Sequence, residues 1–125
     1  MSMPSIVVLI SGSGSNLQAI IDAVAEKKIH AQISAVISNR PDALGLERAR
    51  TAGINTIVVD HTEFAERQLF DKALAEQVAE LNPDLVVLAG FMRILPEAFI
   101  EQYEDRLLNI HPSLLPEFKG MHTHR

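Results

Sequence analysis

An amide and an imidazole stand two positions apart, Asn109 and His111, at the end of the apolar run Leu107-Leu108 and directly before Pro112. Residues two apart on an extended strand project to the same side. Pro112 has no backbone N–H and fixes φ, so an ordinary strand does not continue through it. The two side chains are therefore expected to leave the tip of one buried strand together, facing one cavity. An Asn amide can donate to an oxyanion, and a His can carry a proton near neutral pH. That pairing suits carbonyl chemistry, whereas a His beside a loop Pro taken alone is an ordinary solvated side chain.

A second segment, Ser11-Gly12-Ser13-Gly14-Ser15-Asn16, joins a strand-like run to a helical one. Glycines let a backbone approach a ligand, and the N–H groups at a helix start favour an anion. Taken alone, a Gly-x-Gly is equally a tight turn with an N-cap. Two absences narrow the guest. The third glycine of the dinucleotide fingerprint is replaced by Leu17, and Asn39-Arg40 stands where an acidic ribose-binding residue would fall. No Gly-Lys-Ser/Thr is present, so the loop is not a nucleoside-triphosphate P-loop. A small phosphate monoester is the better guest.

A third segment, Gly90-Phe91-Met92-Arg93-Ile94-Leu95, carries bulky apolar side chains where a loop should turn polar. Met92, Ile94 and Leu95 can line an apolar slot for a flat heteroaromatic, with backbone groups fixing its orientation. Core packing beneath a helix is the alternative, above all for Phe91. The pair His122-x-His124 has no third ligand at diagnostic spacing, so no metal is expected.

Strand-length apolar runs alternate with helical periodicity, the pattern of a parallel α/β sheet. Ser5–Ser11 is continuously apolar and β-branched, as in a central strand covered on both faces. Leu17, Ile20, Ile21 and Val24 form one helix face. Ala31–Ser38 reads as the second strand, followed by a helix over Ala43–Ala52 that Gly53 stops. Asn55–Val59 is the third strand. Phe70, Leu74, Val78 and Leu81 mark a helix ending before Pro83. Leu85–Ala89 is the fourth strand, a short helix follows Pro96, and Leu107–His111 is the fifth. The expected fold is a doubly wound, mostly parallel sheet with the first strand central and the switch point between strands one and four. Ligands in such sheets bind beyond the carboxyl ends of the strands, where all three segments fall.

The 125 residues, 47% of them hydrophobic, are expected to form one soluble domain at most. A net charge of −5 argues against an extended nucleic-acid footprint. The absence of cysteine excludes disulfides and thiolate metal sites. No signal-peptide pattern or membrane-length apolar run is visible, and a cytoplasmic protein is expected.

These segments, together with Gly45-Leu46-Glu47-Arg48-Ala49-Arg50 and the continuation Pro112-Ser113-Leu114-Leu115-Pro116, resemble the phosphoribosylglycinamide formyltransferases over the whole chain. The Asn-x-His-Pro core is also similar to methionyl-tRNA formyltransferases and related folate domains. The Ser-Gly-x-Gly-Ser-Asn loop separates the glycinamide branch and the formyltetrahydrofolate deformylases from the tRNA branch. The resemblance implies a Rossmann-like formyltransferase fold and transfer of a formyl group from 10-formyltetrahydrofolate to the amine of glycinamide ribonucleotide. It implies that Gly14, Ser15 and Asn16 hold the phosphoribosyl group. Met92, Arg93, Ile94 and Leu95 would carry the folate site, with Asn109, and with Arg67 from the loop region after the third strand. Asn109 and His111 would be catalytic, Asn109 at the oxyanion and His111 moving protons.

Family members continue past the point where this chain stops, Arg125, through an aspartate supporting the His and a second wall of the folate cleft. Residues 1–125 thus read as the amino-terminal part of a formyltransferase domain. Such a fragment is expected to be inactive alone and to self-associate through an exposed sheet edge. The alternatives are formyltetrahydrofolate hydrolysis, disfavoured because its regulatory amino-terminal domain is not seen, and a non-catalytic phosphate-binding module.

Overall fold

The computed structural model describes residues 3–110. Five strands, β1 (Ser5–Ile10), β2 (Gln32–Ser38), β3 (Thr56–Val58), β4 (Leu85–Leu88) and β5 (Leu107–Asn109), form one sheet in the order β3-β2-β1-β4-β5. All four pairings are parallel. Helices α1 (Ser15–Ala25), α2 (Leu44–Thr51), α3 (Arg67–Leu81) and α4 (Glu97–Gln102) connect them, with a 3-10 turn at His61–Glu63. The expected doubly wound sheet is present, with β1 central and the switch point between β1 and β4.

The alternation of β1 builds two cores. Ile6, Val8 and Ile10 face one side, against Leu17, Ile20 and Ile21 of α1 and Leu46 and Ala49 of α2. Val7 and Leu9 face the other, against Phe70, Leu74 and Val78 of α3 and Phe99 of α4. Both faces are covered, which is why β1 reads as an unbroken apolar run. Each fully buried aliphatic side chain contributes about 1.5–3 kcal/mol of transfer free energy, so the central strand anchors the carboxyl edge from which the loops depart.

Element limits differ from the sequence expectation in instructive ways. β3 is three residues, not five, because it lies at the sheet edge and pairs only with β2. The fifth strand ends at Asn109, although Ile110 N–H still donates to Leu88 O at 3.0 Å. Arg67 is not in a loop: it opens α3. Among the described residues no helix is long and apolar enough to cross a membrane.

Candidate active site

Beyond the carboxyl ends of β1, β2 and β4 lies a cleft of about 550 Å³, walled by Ser11–Asn16, Asn39, Arg40, His61, Ala89, Gly90, Met92 and Arg93. The glycine loop forms its floor. Gly14, in the left-handed region at φ 80°, precedes α1, and among the described residues the helix has no side-chain cap and no acidic residue in its first turn. The first N–H groups of α1 therefore retain their preference for an anion. Arg48 braces the loop from α2, its Nε donating to Ser13 O at 2.8 Å and its Nη1 to Gln18 Oε1 at 3.4 Å. Gly45 N–H donates to Gly12 O at 3.0 Å. The Gly45–Arg50 segment thus serves the loop structurally.

Gly14 and Gly45 explain each other. A Cβ on Gly14 would lie 2.5 Å from Gly45 Cα, and one on Gly45 would lie 2.5 Å from Ile10 Cδ1. Gly12, by contrast, has no heavy atom within 4 Å of where its Cβ would be. Gly14 permits helix-to-loop packing, while Gly12 is the glycine that leaves the cleft floor open.

The second wall is the loop after β4. Met92 and Ile94 are 80% and 78% exposed, large apolar side chains held in solvent, whereas Leu95 is buried in the core beside α3 and α4. The Leu95 side chain is therefore packed inward and does not line the expected slot. Two backbone groups of the loop are already engaged: Met92 N–H donates to Ser11 Oγ at 2.8 Å, and Ile94 O accepts from Arg67 Nη2. Arg67 Nε also lies 3.7 Å from Asp71 Oδ2. The Arg93 guanidinium stacks on Phe70 at 5.0 Å, and its Nε is enclosed with no hydrogen-bond partner among the described residues.

Asn109 stands one strand beyond β4, paired with Leu88 and exposed. Its neighbours Leu108 and Ile110 pack on the α1–α2 side and Leu107 on the α3–α4 side. Alternation therefore sends Asn109 to the side of α3, α4 and the Phe91–Leu95 loop. His111 lies outside the described residues, as does the His122-x-His124 pair.

The structure thus brings Gly14, Ser15, Asn16, Met92 and Arg93 to one cleft, with Ile94 and Arg67 joined at its rim and Asn109 at the adjacent strand tip. Sequence reasoning gave no role to Asn39, Arg40 or His61. Arg40 is held in a two-point pair with Asp42 at 3.0 and 3.1 Å, and this contact raises the Arg40 pKa and lowers that of Asp42. The available signal was that Ser38-Asn39 places polar side chains directly after the apolar run Ala35-Val36-Ile37, where a buried polar group needs a partner.

An open parallel sheet with a glycine loop and an apolar loop on either side of a cleft at the switch point is the arrangement in which doubly wound α/β domains place their ligand sites. The chain belongs to the formyl transferase family, whose model matches residues 4–125. It is 58% identical over 121 residues to phosphoribosylglycinamide formyltransferase of Escherichia coli (strain K12), covering 97% of this chain and 57% of that protein. It is 50% identical over 119 residues to the human trifunctional purine biosynthetic protein adenosine-3, covering 95% of this chain and 12% of the relative. Among solved structures, glycinamide ribonucleotide transformylase 1 from Symbiobacterium toebii superposes with a TM-score of 0.82 at 50% identity, over 95% of this chain and 56% of that one. A formyltetrahydrofolate deformylase from Pseudomonas putida, at 20% identity and TM-score 0.76, shares the fold. The chain spans a little over half the length of its bacterial relative.

Proposed function

We propose that this chain supplies the phosphate-binding floor and the formyl-donor wall of a phosphoribosylglycinamide formyltransferase, acting in purine biosynthesis. The reaction is transfer of a formyl group from 10-formyltetrahydrofolate to the primary amine of glycinamide ribonucleotide. The observation that carries the reading is the cleft itself: an uncapped helix start fit for a phosphate monoester faces an exposed apolar loop fit for a pterin. The high identity to proteins bearing that name supports it.

In this reading the substrate phosphate sits on the N–H groups of Gly14–Asn16, which directs the glycinamide amine toward β4 and β5. Met92 and Ile94 cover the faces of the pterin, and backbone groups of residues 92–95 not already engaged meet its edge. The amine attacks the formyl carbon, and negative charge develops on the formyl oxygen. The Asn109 amide donates to that oxygen, a role worth about 3 kcal/mol where such donors have been removed. His111 accepts the proton lost by the amine and returns one to the departing folate nitrogen, worth about 10²–10⁴ in rate. Formyl leaves nitrogen for nitrogen, so no net redox change occurs.

The test is a rate assay on the full protein with 10-formyltetrahydrofolate, with and without glycinamide ribonucleotide. Amine-dependent consumption of the formyl donor with formylated ribonucleotide as product is expected. Equal consumption without the amine would establish hydrolysis instead, and none in either arm would leave a binding module.

A further inference from the structure

We infer that Ser11, Asn39 and His61 form a positioning relay that fixes the 90–95 loop, so that Ser11, although part of the glycine loop, governs the formyl-donor side of the site. The kinetic part of this inference rests on the formyl-transfer reading above.

Ser11 and Asn39 are 4% and 3% exposed, polar side chains buried at the centre of the sheet's carboxyl edge. Buried polar groups persist when every donor and acceptor is matched. Ser11 Oγ accepts the Met92 N–H at 2.8 Å, so its own proton goes to Asn39 Oδ1 at 2.5 Å. That bond fixes the Asn39 amide, turning Nδ2 toward His61 Nδ1 at 3.2 Å. The His61 nitrogen lies closer, 2.9 Å, to the Asn39 carbonyl, which can only accept. His61 Nδ1 thus meets both the side-chain amide and the carbonyl of Asn39, the ring tautomer setting the donor and acceptor roles. The His61 backbone N–H donates to the same carbonyl at 3.2 Å, and its ring meets Phe70 edge-on. One chain of contacts thus links the ends of β1, β2 and β3 to the loop after β4.

The glycine loop does not need this relay. Gly45 N–H and Arg48 Nε hold Gly12 O and Ser13 O independently of the Ser11 hydroxyl. Removing that hydroxyl releases Met92 while leaving the phosphate floor braced. The two loops carry the two substrates, so their separation sets how closely amine and formyl carbon approach, and small misplacements are costly in rate.

The experiment compares Ser11→Ala, Asn39→Ala, the double variant and Ser11→Thr in the full protein. Steady-state kinetics for each substrate are measured, with hydrogen exchange at the Met92 amide. Ser11→Ala should lower kcat by about 10- to 100-fold, the cost of misplacing a substrate loop. It should raise KM for the formyl donor, with KM for the ribonucleotide within about two-fold of wild type. Met92 exchange should accelerate about ten-fold or more as its buried acceptor is lost. Asn39→Ala should act in the same direction, the double variant should fall well short of additivity, and Ser11→Thr should restore the donor KM. A raised ribonucleotide KM with an unchanged donor KM would make Ser11 a phosphate ligand and overturn the inference. So would Met92 exchange unaltered in Ser11→Ala. If the wild type transfers no formyl group, the functional reading fails while the amide exchange still decides the relay.

Discussion

Two glycines in one hexapeptide look alike in the sequence, and replacing each by Ala separates their roles. At Gly14 an added Cβ meets two penalties. The backbone is left-handed at φ 80°, which costs a residue with a Cβ about 1–2 kcal/mol. The new atom would also stand 2.5 Å from Gly45 Cα, which is backbone and cannot rotate away. α2 must then shift against α1, an overpacking change costing about 1–3 kcal/mol. Together Gly14→Ala should destabilise the domain by about 2–5 kcal/mol, a large share of the usual total of about 5–15. In urea unfolding followed by circular dichroism, the midpoint should fall by about 1–2 M at an ordinary slope. Gly12→Ala meets no atom within 4 Å and no left-handed φ, so its stability should hold within about 0.5 kcal/mol. Its cost should appear in ribonucleotide KM, because the methyl group intrudes on the cleft floor. A Gly14→Ala protein as stable as wild type, or a Gly12→Ala protein equally destabilised, would refute this division.

Asn109→Ala should lower kcat for formyl transfer by about 10²–10³, and His111→Ala by about 10²–10⁴. Asn109 is exposed, so its unfolding midpoint should stay near wild type, and wild-type kcat in either variant would remove that residue from the chemistry. Asp60 caps the His61–Glu63 turn by accepting from Thr62 Oγ1 at 2.7 Å and Thr62 N–H at 3.0 Å, and these bonds hold its pKa below the usual carboxylate value. A depressed folded-state pKa gives stability that is present above the unfolded value and is lost as pH falls through the folded one. The stability difference between wild type and Asp60→Ala should therefore be present at neutral pH and narrow on acidification. A difference that widens in acid would contradict the cap.

The parallel α/β class and the central place of the first strand were legible because they follow from local pattern. The unbroken apolar run at Ser5–Ser11 marks a strand covered on both faces, and the Leu17, Ile20, Ile21 spacing marks the helix that covers one of them. The side-chain alternation that splits Val8 and Leu9 between two cores is likewise a local property. What stayed hidden depends on contacts between distant segments. Nothing near Gly14 announces Gly45, and nothing near Ser11 announces Asn39. Leu95 reads as a slot residue beside Met92 and Ile94, yet only tertiary packing turns it inward. The start of α3 at Arg67 was missed because the apolar spacing that marks the helix begins only at Phe70, one turn later. The Asp60-x-Thr62 turn did carry a signal, an Asp preceding a hydroxyl residue by two positions, and it was readable as an Asx-type cap.

The opposition of two substrate loops across the switch point is tested most directly by backbone amide chemical shifts during separate titrations of the protein. Glycinamide ribonucleotide is expected to move the amides of Gly12–Asn16, and a non-transferable formyl-folate analogue those of Met92–Leu95. The amides of His30, Ile33 and Ile54, at the opposite end of the sheet, are expected to stay fixed in both titrations. Shifts from both ligands on a single loop, or shifts confined to the His30–Ile54 end, would contradict the two-loop site.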